Sequence, residues 1–305
     1  MPESLKTVRE LIKLTTGYLA EKSVESARLN AERLLGDVLA LSRIELYLQH
    51  DRPVTPDELD RYRKLIRRRA AGEPLQTLIG ATEFYSRGFK VQAGVFIPRP
   101  ETEILVERCV AMLTPDNQRL LAPLALEIGI GTGVIAISLA AELPSLQVYG
   151  TESNPEAIQL AEHNARRHGV AARVEFLAGD RFEPLPARLA GQFDLLVSNP
   201  PYIRHADLAD LPVEVAEHDP HEALDGGEDG LTFYRALASG FDRWLRPDGM
   251  VAVEIGHDQA EAVTEILNRA SCVDIEVTKD LNGLPRVVSG RRDPDTEATR
   301  KPGQD

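Results

Sequence analysis

The sequence predicts an α/β fold in which a mostly parallel sheet with helices on both faces follows a small helical region and a β-hairpin. Three observations carry this expectation. From Leu5 to about Ile79, apolar residues recur at helical spacing, at Leu5, Val8, Leu11 and Ile12 and again at Leu34, Leu35, Val38 and Leu39. Between Glu83 and Pro98 the period shortens, with Phe84, Tyr85, Phe89, Val91, Val95 and Phe96 set around Gly88 and Gly94 as in a hairpin. From Leu124 onward, strand-like and helix-like segments alternate, the pattern of parallel βα units.

The elements follow in order. The clearest helix start is Thr55-Pro56-Asp57-Glu58, where a threonine cap, a first-turn proline and a glutamate three residues after the cap make a capping box. That helix should run to Gly72-Glu73-Pro74. It carries Lys64, Arg67, Arg68 and Arg69, which read either as a solvated face or as a contact for an acidic partner or RNA. Strands are expected at 124–128, 147–152, 173–177, 193–198 and 250–255, with one helix running through Glu142 and another over 155–168. Runs at 273–278 and 286–289 should add an antiparallel pair at one edge. The domains predicted are a helical unit at 1–80, a hairpin linker at 81–98, an α/β domain at 99–293 and a disordered tail at 294–305.

Length and composition bound the function. A chain of 305 residues suggests two domains. The net charge of −13 argues against broad capture of nucleic acid by phosphate neutralisation. Cys109 and Cys272 form neither a disulfide framework nor a metal-ligand pattern, so no metal is expected and a reducing compartment is. The start Met1-Pro2-Glu3-Ser4-Leu5-Lys6 lacks the pattern of a signal peptide, and no apolar run has membrane-spanning length. A cytoplasmic protein with no membrane contact is predicted.

The chemistry is concentrated in Asn199-Pro200-Pro201-Tyr202, directly after the apolar run Phe193-Asp194-Leu195-Leu196-Val197. A planar nitrogen in an amide or exocyclic amine is a poor nucleophile. To accept a methyl group it must be held with its N–H groups engaged and its lone pair aimed at the electrophile. The Asn199 side-chain oxygen and the Pro200 carbonyl are two acceptors suited to that task. Their place at a strand's carboxyl end is where open α/β sheets bind ligands.

Glu127-Ile128-Gly129-Ile130-Gly131-Thr132-Gly133 joins the first strand of the sheet to a helix, and its glycines permit a tight turn and close approach of a ligand. Val134 stands where the dinucleotide fingerprint needs its third glycine, and no Gly-Lys-Ser/Thr follows, so neither NAD nor a P-loop nucleotide is indicated. Glu152, at the next strand end, suits the hydroxyls of a ribose. Asp180, after the third strand, suits an adenine amino group. With Asn199 these line one crevice and point to S-adenosylmethionine.

On these residues the chain resembles the release factor glutamine methyltransferases, the protein-(glutamine-N5) methyltransferases of the HemK/PrmC family. The resemblance covers nearly the whole length. It includes Gly72-Glu73-Pro74-Leu75-Gln76 with Glu83-Phe84-Tyr85, Phe96-Ile97-Pro98-Arg99-Pro100-Glu101-Thr102-Glu103, Leu224-Asp225-Gly226-Gly227 with Asp229-Gly230-Leu231, and Glu254-Ile255-Gly256. It implies a seven-stranded Rossmann-like S-adenosylmethionine-dependent methyltransferase domain after a small all-helical domain and a hairpin linker. The implied substrate is the Gly-Gly-Gln glutamine of peptide-chain release factors. The implied cofactor-binding residues are Gly129, Ile130, Gly131, Thr132, Gly133, Glu152, Asp180, Arg181 and Asn199. Asn199, Pro200, Pro201 and Tyr202, with Phe96 and Arg99, are implied to hold the glutamine, and Asn199, Pro200 and Tyr202 to serve the transfer.

The chain departs from the family at several points. Glu127 and Glu152 stand where aspartate is usual, Arg181 replaces a frequently apolar residue, and His218-Asp219-Pro220-His221 replaces Glu-Pro-Arg, where a surface loop is expected. The rival readings are a glutamine methyltransferase acting on a ribosomal protein, an adenine-N6 methyltransferase on nucleic acid, which shares the Asn-Pro-Pro-Tyr motif, and a non-catalytic adaptor. The acidic balance disfavours the nucleic-acid reading, and the intact motifs disfavour the adaptor.

Overall fold

Short polar residues set where the N-terminal helices begin. In the computed structural model, which describes residues 5–114 and 122–295, α1 (Val8–Glu21), α3 (Arg43–Leu48) and α4 (Pro56–Ala70) each start with a capping box, the last being the one expected from Thr55 and Glu58. Each box satisfies backbone donors that a helix start leaves orphaned. With α2 (Ala27–Leu39) and α5 (Leu75–Ile79), these helices enclose a core of Val8, Leu11, Leu34, Leu35, Leu46 and Tyr62. The buried Tyr62 hydroxyl donates to the Ala31 carbonyl at 3.0 Å, so its polar end is satisfied.

The basic run on α4 is largely neutralised within this unit. Lys64 pairs with Asp60 at 2.9 Å, and Arg68 Nε donates to Glu73 at 2.7 Å. Arg69 is only 6% exposed and donates to Asn30 Oδ1 at 2.7 Å, the Glu73 carbonyl at 2.9 Å and Glu214 Oε2 at 2.6 Å. Arg67 of the run stays exposed. Glu214 is distant in sequence, yet Pro212–His218 folds with the residues up to Ala81 as one compact unit, while Thr82–Leu211 and the chain from Asp219 form a second.

The second unit takes in the hairpin of β1 (Ala81–Phe84) and β2 (Arg87–Lys90). Its turn sits at Tyr85 and Ser86, with φ of 50° and 57°, and Gly88 lies inside β2 rather than at the bend. A two-residue hairpin turn needs positive φ at both central positions, usually supplied by Asn or Gly. Here Glu103 accepts from the Tyr85 amide at 2.8 Å and Arg87 donates to the Tyr85 carbonyl at 2.9 Å, which offsets the strain.

Along the chain come α6 (Thr102–Leu113), β3 (Leu124–Ile128), α7 (Val134–Glu142), β4 (Gln147–Glu152), α8 (Pro155–Arg167), β5 (Val174–Ala178) and β6 (Phe193–Ser198). The short α9 (Val213–Ala216), α10 (Thr232–Ala238) and α11 (Phe241–Trp244) precede β7 (Leu245–Glu254), α12 (Ala260–Arg269), β8 (Cys272–Lys279) and β9 (Pro285–Arg292). The seven-stranded sheet has the order β5-β4-β3-β6-β7-β9-β8. β3 to β7 pair in parallel, and β9 runs antiparallel to both β7 and β8, as expected of the edge. β7 begins earlier than Met250 because the chain continues through Asp248, at φ 63°, with a shift in register against β6.

Helices cover both faces of the sheet. Leu105, Val106, Ile135, Ile137 and Leu139 of α6 and α7 pack on one face, and Tyr234, Leu237, Phe241, Trp244 and Val263 of α10 to α12 on the other. β6 is buried along its whole length, which is why its sequence is a near-continuous apolar run. Because the chain enters the sheet at β3, proceeds to one edge and returns to lay β6 on the other side, β3 and β6 flank a topological switch point. No helix among the described residues is long and apolar enough to cross a membrane. Of the tail expected at 294–305, residues 296–305 lie outside the described residues.

Arg69→Ala would strip the buried Asn30 and the partly buried Glu73 carbonyl and Glu214 of their shared donor. It is expected to cost about 3 kcal/mol of stability, against less than about 0.5 kcal/mol for the exposed Arg67→Ala. Urea unfolding of both variants checks this, and similar small losses would contradict the structural role of Arg69.

Candidate active site

The carboxyl ends of β3, β4, β5 and β6 open into one solvent-connected cleft with a cavity volume of about 190 Å³. The glycine loop forms its floor. Gly129 and Gly131 have φ of 77° and 50°, and a Cβ added to either would meet no atom within 4 Å, so these backbones face open space. Gly133 is different, since a Cβ there would come within 2.9 Å of Ala161 on α8. Ile130 is buried against Ile158 and Ala161. Gly129, Gly131 and Thr132 therefore line the cleft, whereas Ile130 and Gly133 do not and instead seat the loop on α8.

Carboxylates mark the next two strand ends. Glu152 lines the wall, with Oε2 accepting from the Gly131 amide at 3.0 Å and Oε1 from the Asn154 amide at 3.0 Å. Oε1 also accepts from the Ser153 hydroxyl at 3.5 Å, and Oε2 keeps a further lone pair for a ligand hydroxyl. Asp180 and Arg181 also line the cleft, and Arg181 Nε donates to both Asp180 oxygens at 3.0 Å from a backbone at φ 46°. Glu127 lies beneath the loop, fully buried, where Oε2 accepts from the Ala136 amide at 2.8 Å and Oε1 has no partner among the described residues. Burial holds its carboxyl well above the usual range.

At the end of β6, Asn199, Pro200, Pro201 and Tyr202 line the same cleft. Asn199 Nδ2 donates to Thr102 Oγ1 at 3.0 Å. No hydrogen bond reaches Asn199 Oδ1 or the Pro200 carbonyl among the described residues. Burial pushes the Tyr202 phenol up to about 12, so it is neutral at working pH and no base. The turn is held from behind, with Gln259 Nε2 donating to the Tyr202 carbonyl at 3.0 Å and the Ile203 amide donating to the Leu224 carbonyl at 3.0 Å. Gly226 is required there because a Cβ would lie 2.8 Å from the Tyr202 Cα.

Phe96 lines the cleft with the Arg99 guanidinium 5.1 Å from its ring centre, although Arg99 itself is not a lining residue. Arg99 is drawn aside by an ion pair with Asp219, which also accepts from the Ile97 amide at 3.5 Å. The expected surface loop at His218-Asp219-Pro220-His221 thus needs correction at Asp219, which is 7% exposed because it clamps this segment. Thr102, Asp219, Glu254 and Gln259 were not singled out by sequence. Their only signal is that Thr102 and Glu254 fall within the segments that carry the family resemblance.

Glu254 ends β7 and is 2% exposed. Burial pushes its carboxyl up to about 7, opposed by the Thr102 hydroxyl, Arg286 and the Asn199 amide and reinforced by Glu101. Its Oε2 has no hydrogen-bond partner among the described residues.

The family described as "PrmC N-terminal domain" matches residues 10–80, and that described as "Methyltransferase small domain" matches residues 101–224. The chain is 47% identical to a release factor glutamine methyltransferase of Geobacter sulfurreducens over 93% of its length and 96% of the relative's. A protein of the same name from Chlorobaculum tepidum is 39% identical over 95% of this chain and 99% of its own. Among solved structures, the catalytic domain of hMettl16 in complex with an RNA hairpin superposes with a TM-score of 0.52 at 14% identity, covering 77% of this chain and 82% of that one, a likeness of fold.

A carboxyl whose pKa is raised by folding favours the protonated form in the fold. Its contribution to stability is therefore full below the unfolded value of 4.5 and declines as pH rises through about 7. Between those values the slope for Glu254 should approach about −1.4 kcal/mol per pH unit. Urea unfolding of wild type and Glu254→Gln across this window checks it. Stability should fall less with pH in the variant, and parallel profiles would contradict the assignment.

Proposed function

This chain belongs to the release factor glutamine methyltransferase family, and from that membership we propose that it methylates N5 of the Gly-Gly-Gln glutamine in peptide-chain release factors, using S-adenosylmethionine by direct in-line transfer. The observation that carries the assignment of residues is the bond from Asn199 Nδ2 to Thr102, which leaves Oδ1 as the acceptor available in the cleft.

The residues present fit the cofactor. The open backbone at Gly129 and Gly131 accommodates its methionine part, and Glu152 offers lone pairs to the ribose hydroxyls. Asp180 lies further along as the acceptor for the adenine amine, and Arg181, its present partner, would share or yield that carboxylate. Bound there, S-adenosylmethionine supplies a methyl group made electrophilic by its sulfonium.

The chain's own work is orientation. Asn199 Oδ1 and the Pro200 carbonyl accept the two hydrogens of the substrate amide, which fixes its plane and leaves the lone pair to one side. As positive charge develops on nitrogen, the same acceptors stabilise it, an oxyanion hole with its sign reversed. Tyr202 and Phe96 wall the amide without exchanging protons. The attacked nitrogen becomes acidic, so its proton leaves late to water and no strong base is required.

Transfer of label from S-adenosylmethionine should reach a release factor and not its Gly-Gly-Gln glutamine-to-alanine variant, and label appearing on both would sink the glutamine reading. Asn199→Ala should cost on the order of 3 kcal/mol in single-turnover transfer, and an undiminished rate would remove Asn199 from the reaction. Glu152→Ala should weaken S-adenosylhomocysteine binding by calorimetry at least about tenfold, and unchanged affinity would count against the ribose assignment.

A further inference from the structure

We propose that the turn between β8 and β9, which carries Leu281 and Leu284, is a docking contact for the release factor surface that flanks the Gly-Gly-Gln loop; this rests on the glutamine reading above. The turn spans 280–284, between Lys279 and Pro285. Leu281 is fully exposed on it and Leu284 is 40% exposed. Lone leucines scattered over a surface are ordinary. Two on one locked turn, at the edge of the sheet where the cleft opens, form an anchor for a partner.

Strand pairing sets the turn beside the substrate motif. Ser198 pairs with Val253 and Glu254 with Val287, so β6 and β7 end, and β9 begins, at the same carboxyl edge of the sheet. In the order β6-β7-β9, neighbouring strands about 4.8 Å apart put the strand that leaves the turn roughly 10 Å from the one that leads into Asn199. The glycine loop, Glu152 and Asp180 follow β3, β4 and β5, on the other side of β6. With the cofactor held there, the protein that delivers the glutamine spreads over the ends of β7 and β9, where Leu281 projects. Because the turn is continuous with the edge that receives the glutamine, the same protein fills both.

The backbone under the leucines is held still. Asp280 Oδ1 accepts from the Asn282 and Leu284 amides, each at 2.9 Å, and Oδ2 accepts from Arg286 Nε at 3.0 Å. The Asp280 amide donates to the Leu284 carbonyl at 2.8 Å and the Gly283 amide to the Asp280 carbonyl at 2.9 Å. Gly283 supplies the left-handed step, at φ 81°. An apolar side chain carried on a fixed backbone loses little freedom on binding, so more of its burial appears as affinity. Lys279 and Asn282 are exposed alongside and give the contact a polar margin. The surface that fits is an apolar recess of the release factor beside its Gly-Gly-Gln loop.

The test is steady-state transfer from S-adenosylmethionine to a release factor, with calorimetric affinity for S-adenosylhomocysteine, thermal melting and sedimentation of each variant. Leu281→Asp sets a charge against an apolar recess and should raise KM for the release factor at least about tenfold. Its kcat, cofactor-product affinity and melting should stay at wild-type values, the pattern of binding lost equally from ground and transition states. Leu281→Met, which keeps an apolar side chain of similar volume, should retain a near-wild-type KM. A wild-type KM in Leu281→Asp would overturn the inference, and so would a fall in kcat or in cofactor-product affinity, which would put the effect inside the cleft. A wild-type dimer that Leu281→Asp dissociates would overturn it too, by assigning the turn to self-association. Each of these leaves the glutamine reading standing, whereas absence of label on the release factor with the wild-type protein would sink both.

Discussion

Deep in the sheet, the Ser198 hydroxyl donates to the Ile128 carbonyl at 2.7 Å, and the two halves of the cleft hang from that bond. It pins the carboxyl end of β6 to that of β3, the neighbours across the switch point. One residue beyond each pinned atom the chain leaves the sheet, at Asn199 on one side and Gly129 on the other. A reaction whose catalysis is positioning requires that the donor and acceptor halves keep a fixed separation, and a buried hydrogen bond between adjacent strands meets that requirement with no moving part.

What holds the turn after β6 is a second layer with no chemistry of its own. Gly226 admits the Tyr202 backbone at a distance no side chain would allow, and Gln259 bridges the Tyr202 and Gly230 carbonyls at 3.0 and 3.2 Å. Two prolines stiffen the turn from within and the glycine-rich segment grips it from without. On the opposite wall, Asp219 holds Arg99 and the Ile97 amide, so the segment carrying Phe96 is fixed through a residue that reaches no ligand.

The sheet was legible because β6 reads as a buried strand from composition alone, and the glycine loop, Glu152, Asp180 and Asn199 were legible because each closes a strand. Strand ends are read in one dimension. Thr102 was not, since it meets Asn199 across 97 positions of sequence and looks like an ordinary first-turn residue of α6. Asp219 hid in a histidine-flanked segment whose polar composition reads as loop, and its burial depends on Arg99. The return of Pro212–His218 to the helical unit left no pattern, because four residues of helix carry too little periodicity to show a face. Ile130 and Gly133 pack on α8 rather than lining the cleft, because a glycine-rich motif marks a loop without saying which of its residues face the cleft and which face the helix behind it.

The central claim is that two acceptors grip the substrate amide, and the most direct measurement is a crystal structure of the protein with S-adenosylhomocysteine and a release factor carrying an intact Gly-Gly-Gln loop. The account predicts the glutamine nitrogen at about 3 Å from both Asn199 Oδ1 and the Pro200 carbonyl, with Asn199 Nδ2 still on Thr102. A glutamine amide bonded elsewhere, or an Asn199 turned to present Nδ2 to it, would contradict the account.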